Sequence, residues 1–585
     1  GQAALERARV VVVGSSTLAS ESLKNLVLPG KYCGTAPGYD SPGRDPAGPN
    51  VGHGVYQEAS SADPVSESYS AIFSRPPLSC GHVERSCGRR VLSHLCAVVG
   101  IGEFIVVDDA LVADEDLRTN FFVRAADAGK SRAQSIVDNL CEMNPDVHGQ
   151  ALVKAPAEFI ALSEQDGPEA ELLGSATLVI VCAQPDEIVR ALGARCWDAN
   201  IPMVAACNAG FIAEIRTAVR EHTIVESHAG AKSDLRVMAP FAELRAYADS
   251  IDLEALDSTD LAHVPFVVLL IKAVDKWVAE TGLAKTGLEY KHRKEIAKLV
   301  SRMAPAPGEE NFDEAAAAVN ANCSDYEVPS EVSQILADPA ANAATAQTSS
   351  FWLLANALRR YLGSEYAEGK LPHSGAIPDM KADTQSYIKL QRIYKQKAEQ
   401  DKAELVRCLC DVLQEAGLPA EHVSSDEVDM FCKNAGRLRL VRTQPVHHDA
   451  ETAPAIWGNL ADEGVSAHYA LFRAVNTFLA KNGRYPGMPG VDVSDLDALC
   501  VQDTSELQGI AAELMRAWGD KDPETPRNLA AEFVRSGCME LHNVSAIVGG
   551  VVAQETIKLI THQYVPHDGV CILDTANTTL AAVKA

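Results

Sequence analysis

At 585 residues the chain exceeds what one hydrophobic core usually supports, so two or three domains are expected. Hydrophobic residues make up 47% and charged ones 22%, enough core material to exclude wholesale disorder. A formal charge of -27 disfavours nucleic acid and anionic membrane as main partners, because an acidic surface repels polyanions.

The fifteen cysteines show no CxxC pair and no regular spacing, which predicts reduced thiols rather than a disulfide scaffold. The apolar stretch 265–278 is broken by Lys272, Asp275 and Lys276 and is too short and charged to span a bilayer. Residues 1–9 lack the layout of a secretory signal, so cytoplasm or nucleus is the expected location.

Along the chain, residues 10–13 are a β-branched run ending at Gly14, followed by small polar residues and the helical pattern Leu18, Leu23, Leu26, Val27. This reads as strand, turn, helix. A second buried strand at 104–107 closes on Asp108 and Asp109, and the runs 178–182 and 203–207 repeat the motif. Helical patterns at 131–143 and 186–197 lie between them, so the expected fold is α/β, a doubly wound and mainly parallel Rossmann-like sheet.

Residues 31–99 interrupt that pattern with eight glycines, seven prolines, four of the cysteines and no sustained period. They read as an inserted disordered segment or a retained intron, since codons for Gly30-Lys31-Tyr32 and Val99-Gly100 can contain a splice donor and acceptor. From about residue 236 long helices take over. Pro265 and Gly282 bracket one, and Asp383 and Gly417 another with Tyr387, Leu390, Tyr394 and Cys408 facing inward. A further helix at 469–479 stops at Asn482-Gly483. Ser545 is expected to cap a helix running through Ile560, and 569–573 to form a last strand. The expected division is 1–235 and 531–585 as the two parts of the sheet domain, split by a mainly helical domain at 236–530.

The turn after the first strand is where such folds bind phosphate, through a GxGxxG fingerprint. Here Gly14 remains, while Ser16 and Ala19 replace the other two glycines and crowd the backbone approach, which favours a structural turn. Asp108 stands where these folds place a ribose-gripping acid, or is simply an acidic strand end. The run Gly129-Lys130-Ser131-Arg132 has phosphate-binding chemistry, though solvated surface explains it as well. Cys408 and Cys410 point to different sides of a helix and are expected to be buried, inert thiols, and His447 and His448 to lie in a surface loop. No catalytic or metal-binding residue is assigned.

Several motifs recur together: Leu-Lys-Asn-Leu-Val-Leu-Pro-Gly at 23–30, Asn120-Phe121-Phe122, the 129–133 run, Val225-Glu226-Ser227-His228 and Ser350-Phe351-Trp352. Ile377-Pro378-Asp379-Met380, Tyr387-Ile388-Lys389-Leu390-Gln391, Gly483-Arg484-Tyr485-Pro486-Gly487 and the stretch from Gly549 to Glu555 continue the series. Together they resemble the activating enzymes of ubiquitin-like modifiers, and among these the regulatory halves serving the modifier of cullins. The resemblance spans all but residues 31–99.

It implies an adenylation fold split by a large inserted domain, a heterodimer with a catalytic activating subunit, and contact with the ubiquitin-like modifier. Gly14, Asp108, Asn120 and Lys130 look like survivors of a nucleotide site. The magnesium aspartate expected after the fourth strand is replaced by Cys182-Ala183-Gln184-Pro185, and the zinc CxxC pairs and a thioester cysteine are not identifiable. No cofactor is therefore expected in this subunit, with ATP and magnesium left to the partner. Ile377, Pro378, Asp379, Met380, Tyr387 and Leu390 are candidates for the partner contact, with core packing as the competing reading. A self-sufficient adenylating enzyme of the sulfur-carrier type, or the noncatalytic subunit for another such modifier, are the alternatives.

Overall fold

The computed structural model describes residues 1–28, 100–228, 234–446, 457–461, 464–489 and 495–584. The inserted stretch 31–99 and the His447-His448 pair lie outside them. The chain divides into two compact units, one formed by Gly1–His222 with Val441–Ala585 and the other by Thr223–Leu440.

The first unit is built on eight strands: β1 (Arg9–Val13), β2 (Glu103–Val107), β3 (His148–Leu152), β4 (Leu178–Cys182), β5 (Met203–Ala209), β6 (Ile212–Ala218), β7 (Gly569–Asp574) and β8 (Thr579–Lys584). Their spatial order is β8-β7-β6-β5-β4-β1-β2-β3. Neighbours from β5 through β4, β1 and β2 to β3 run parallel, and the β5–β6, β6–β7 and β7–β8 pairs are antiparallel. The α/β reading of the sequence thus holds, with a mixed rather than fully parallel sheet.

Side chains alternate along a strand, and β1 shows why its run is all valine. Val10 and Val12 enter one apolar core with Phe104, Leu178 and the helices Thr17–Val27, Arg132–Met143 and His542–Thr561. Val11 and Val13 enter another, with Ile105, Val179 and the helix Asp186–Asp198. Each fully buried valine contributes about 1.5–3 kcal/mol, so both faces reject polar substitution.

Helix His542–Thr561 has the length and hydropathy of a membrane span, with 61% of that window buried inside the protein. It crosses Thr17–Val27 so closely that a methyl on Gly549 would meet Glu21 and Ser22 backbone at 2.8 Å. The helix begins at His542, three residues before the expected cap. Ser545 is buried in its first turns, its hydroxyl 3.5 Å from Asn208 Oδ1, so packing against β5 overrides the local capping signal.

Helices Ser466–Asn482, Leu496–Ala517 and Arg527–Ser536 share a core with Ile212, Val570 and Ile572 of the antiparallel end. The helical stretch expected at 236–530 is therefore divided: its part from Val441 onward packs with the sheet.

Within Thr223–Leu440, one long helix, Thr384–Ala416, serves two cores. Leu390 and Tyr394 pack with Phe266–Thr281, and Leu405, Leu409 and Val412 with Ser350–Leu362. Asp383 caps it by accepting from the Gln385 and Ser386 amides at 2.8 and 3.0 Å, and Gly417 ends it with φ at 69°. Both boundaries agree with the sequence reading, as do Pro265 and Gly282 around Phe266–Thr281.

Candidate functional site

The carboxyl ends of the parallel strands form the crevice where open α/β sheets place ligands. Its centre is the turn between β1 and the helix Thr17–Val27. Gly14 sits at φ +97°, and a methyl there would lie 2.4 Å from the Cys182 carbonyl and 2.6 Å from Gln184 Nε2. Only glycine suits both the backbone angle and that approach.

Three of the residues that follow are engaged within the protein. Ser15 donates to Asp108 Oδ2 from its amide at 2.8 Å and its hydroxyl at 2.6 Å. Ser16 caps the helix, its Oγ accepting from the Ala19 amide at 3.3 Å. The Leu18 amide donates at 3.1 Å to Glu540 Oε2, a carboxylate 522 residues away in sequence. Of the first-turn amides a phosphate would use, those of Leu18 and Ala19 are thus already engaged by protein oxygens.

Asp108 is buried and saturated. Beyond the two Ser15 donors it accepts from the Ala110 amide at 3.0 Å and Arg132 Nη2 at 3.1 Å. Burial by itself would raise its carboxyl, but the Ser15 hydroxyl, the Ala110 amide and Arg132 together bring it below the ordinary value. Arg132 also donates to Asp116 Oδ1 and Ser15 Oγ, both at 2.9 Å. Asn120 is buried too, donating to Ser20 Oγ at 3.0 Å and accepting from the Phe122 amide at 2.9 Å. Of the four expected survivors, Gly14, Asp108 and Asn120 gather around this turn. Lys130 stays on the surface, paired with Asp127 at 3.2 Å, and the cation that reaches the crevice is Arg132.

Across the crevice, Gln184 follows β4, and its amide donates to the Cys182 carbonyl at 3.3 Å while leaning on Gly14. The nearest acid, Asp186, accepts from Arg216 at 3.1 Å and Arg473 at 3.4 Å. Arg473 also bonds Glu214, with Arg216 3.6 Å from the same carboxylate. Burial acts to raise the Asp186 carboxyl, yet the charges of Arg473, Arg216 and Arg190 hold it down to about 2. Beside this quartet lies a cavity of about 90 Å³ lined by Cys207, Asn208, Tyr485 and Cys538. That is the share of roughly three water molecules. Burial pushes the Cys538 thiol up to about 12, so it carries no ready thiolate.

The residues present do not fit a magnesium nucleotide. The magnesium position offers a neutral amide and an acid committed to two arginines, and the ribose acid has four donors of its own.

Residues 88–584 match the ThiF family, and the chain belongs to it. It is 34% identical over 493 residues to the NEDD8-activating enzyme E1 regulatory subunit of Xenopus laevis, covering 82% of this chain and 89% of that protein. The Drosophila melanogaster protein of that name is 32% identical over 492 residues, covering 83% and 89%. The Arabidopsis thaliana subunit AXL is 31% identical over 505 residues, covering 85% and 92%. Within ThiF proteins the chain is thus a member of the family of NEDD8-activating enzyme E1 regulatory subunits.

The expected partner-contact residues separate on burial. Leu390 is fully buried in the helical core, and half-buried Ile377 and Met380 pack against that core. Asp379 is exposed, with Tyr387 Oη 3.5 Å from its Oδ1. Cys408 is buried and Cys410, two positions on, is exposed. Sequence reasoning missed Glu540 and the Asp186–Arg216–Glu214–Arg473 quartet altogether. Arg132 was visible only as one member of a basic run.

Proposed function

We propose that this chain is the regulatory, non-catalytic half of a heterodimeric activating enzyme for NEDD8, the ubiquitin-like modifier of cullins. Its catalytic partner handles ATP, magnesium and the thioester, and this subunit contributes a scaffold and contacts to partner and modifier. The observation that carries the reading is the closed turn at β1: Leu18, Ala19 and Asp108 are all engaged by the protein itself. Membership of the regulatory-subunit family supports the heterodimer. A self-sufficient adenylating enzyme of the sulfur-carrier type is disfavoured by Gln184, which cannot replace a magnesium carboxylate.

ATP–pyrophosphate exchange with purified chain, NEDD8 and ATP tests the reading. No exchange is expected until the catalytic subunit is added, and robust exchange by the chain alone overturns it. For the contact itself, exposed Asp379 and half-buried Tyr387 are the surface candidates. Asp379→Lys with Tyr387→Glu should weaken capture of the catalytic subunit and leave the melting temperature of the free chain nearly unchanged.

A further inference from the structure

Glu540 reaches the crevice from the segment just before helix His542–Thr561. That segment is pinned to the sheet where the Gly210 amide donates to the Met539 carbonyl at 3.0 Å, past the end of β5. Gly210 sits at φ +57°, and a methyl there would meet Glu532 Oε1 at 2.4 Å and Ser536 Cβ at 2.9 Å in helix Arg527–Ser536, so glycine suits this junction. The result places a carboxylate against the first turn of helix Thr17–Val27. One oxygen takes the Leu18 amide, and the other is shut away from solvent on the side of Ser16 and Thr17. Ser16, Thr17 and Arg132 stand around the same group.

A helix amino terminus with free amides and a positive dipole end is where a strand-turn-helix unit receives phosphate. We propose that Glu540 is a built-in anion that occupies this phosphate position, so that the turn is closed to nucleotides by a resident carboxylate and not merely by the loss of glycines at Ser16 and Ala19. The inference rests on the reading of this subunit as non-catalytic and names the group responsible. An acid is suited to the role because it satisfies the dipole and the Leu18 amide together, as a phosphate oxygen would. Burial raises this carboxyl above its ordinary value in spite of the Leu18 amide and Arg132. The Glu540 residue as a whole is half-buried, with one carboxylate oxygen closed off from solvent, so the position is built around a group delivered by the fold.

The test is rescue by inorganic phosphate. Full-length wild-type chain, Glu540→Gln, Glu540→Ala and Glu540→Ser are melted across a phosphate titration, with sodium chloride at matched ionic strength as the reference. Truncation to Ala or Ser vacates the position, and millimolar phosphate should raise the melting temperature of those variants by about 2 °C more than that of wild type. Glu540→Gln, which still fills the space, should respond as wild type does. Equal responses from all four proteins overturn the inference, and Glu540→Ser keeps the experiment decisive if the alanine variant does not fold. A parallel titration with ATP separates the two claims. Binding by wild type defeats the non-catalytic reading itself, whereas a silent wild type with unresponsive Ala and Ser variants defeats only the role of Glu540.

Discussion

The two sides of the crevice are closed in different ways. At the ends of β1 and β2, three groups from the first part of the chain, Ser15, Ala110 and Arg132, saturate Asp108, and a single acid from near the far end of the sequence, Glu540, completes the seal. Beyond β4, four charges from three separated stretches of chain, Asp186, Glu214 with Arg216, and Arg473, neutralise one another. The first side depends on one removable group, and the second on a network in which every member holds another. Removing one member should therefore have very different consequences on the two sides.

The largest effect is expected at the network. Arg473→Met leaves Glu214 and Asp186 short of a cation in a buried setting, at a cost of about 3–5 kcal/mol in denaturant unfolding. A loss under ~1 kcal/mol would show that Arg216 alone suffices. Next comes the opposite response of the two sides to pH. Asp186 has a folded value near 2 against 3.8. Its stabilisation, about 2 kcal/mol, is therefore present above 3.8 and is lost as pH falls toward 2. Asp186→Asn should thus destabilise the chain at neutral pH, with the difference from wild type closing only below pH 3.8. Glu540 is raised instead, so its charged form weakens the fold as pH climbs past 4.5. Glu540→Gln should melt above wild type at neutral pH, and the gap should shrink in acid. Identical pH profiles for the two variants would erase the distinction between the sides.

A smaller effect tests the turn itself. Gly14→Ala forces a side chain into a left-handed backbone and onto the Cys182 carbonyl, for about 2 kcal/mol, read as a lowered denaturation midpoint. The described residues on either side of 31–99 meet: the Ile101 amide donates to the Leu26 carbonyl at 3.1 Å, and Gly100 lies against Val27.

Much of the scaffold was legible because its signals are local. A run of valines closing on Gly14 set β1, Pro265 and Gly282 bounded one helix, and Asp383 and Gly417 bounded the longest. Ser545 misled for the complementary reason, since a good cap residue can equally be buried where helix and sheet meet. Tyr387 and Leu390 share a helix, yet periodicity did not separate the half-buried one from the core one. That distinction depends on which neighbouring helices cover the face.

By itself the sequence determined the strand-turn-helix, the retained Gly14, the neutral Gln184 where an acid was wanted, and the kinship carried by its motifs. Tertiary structure alone decided what fills the crevice. Glu540 lies 522 residues from Leu18, and Arg473 259 from Glu214. Pairings of that kind are set by how the sheet closes and helices pack, because neither periodicity nor spacing along a chain encodes which distant charge will arrive at a given amide.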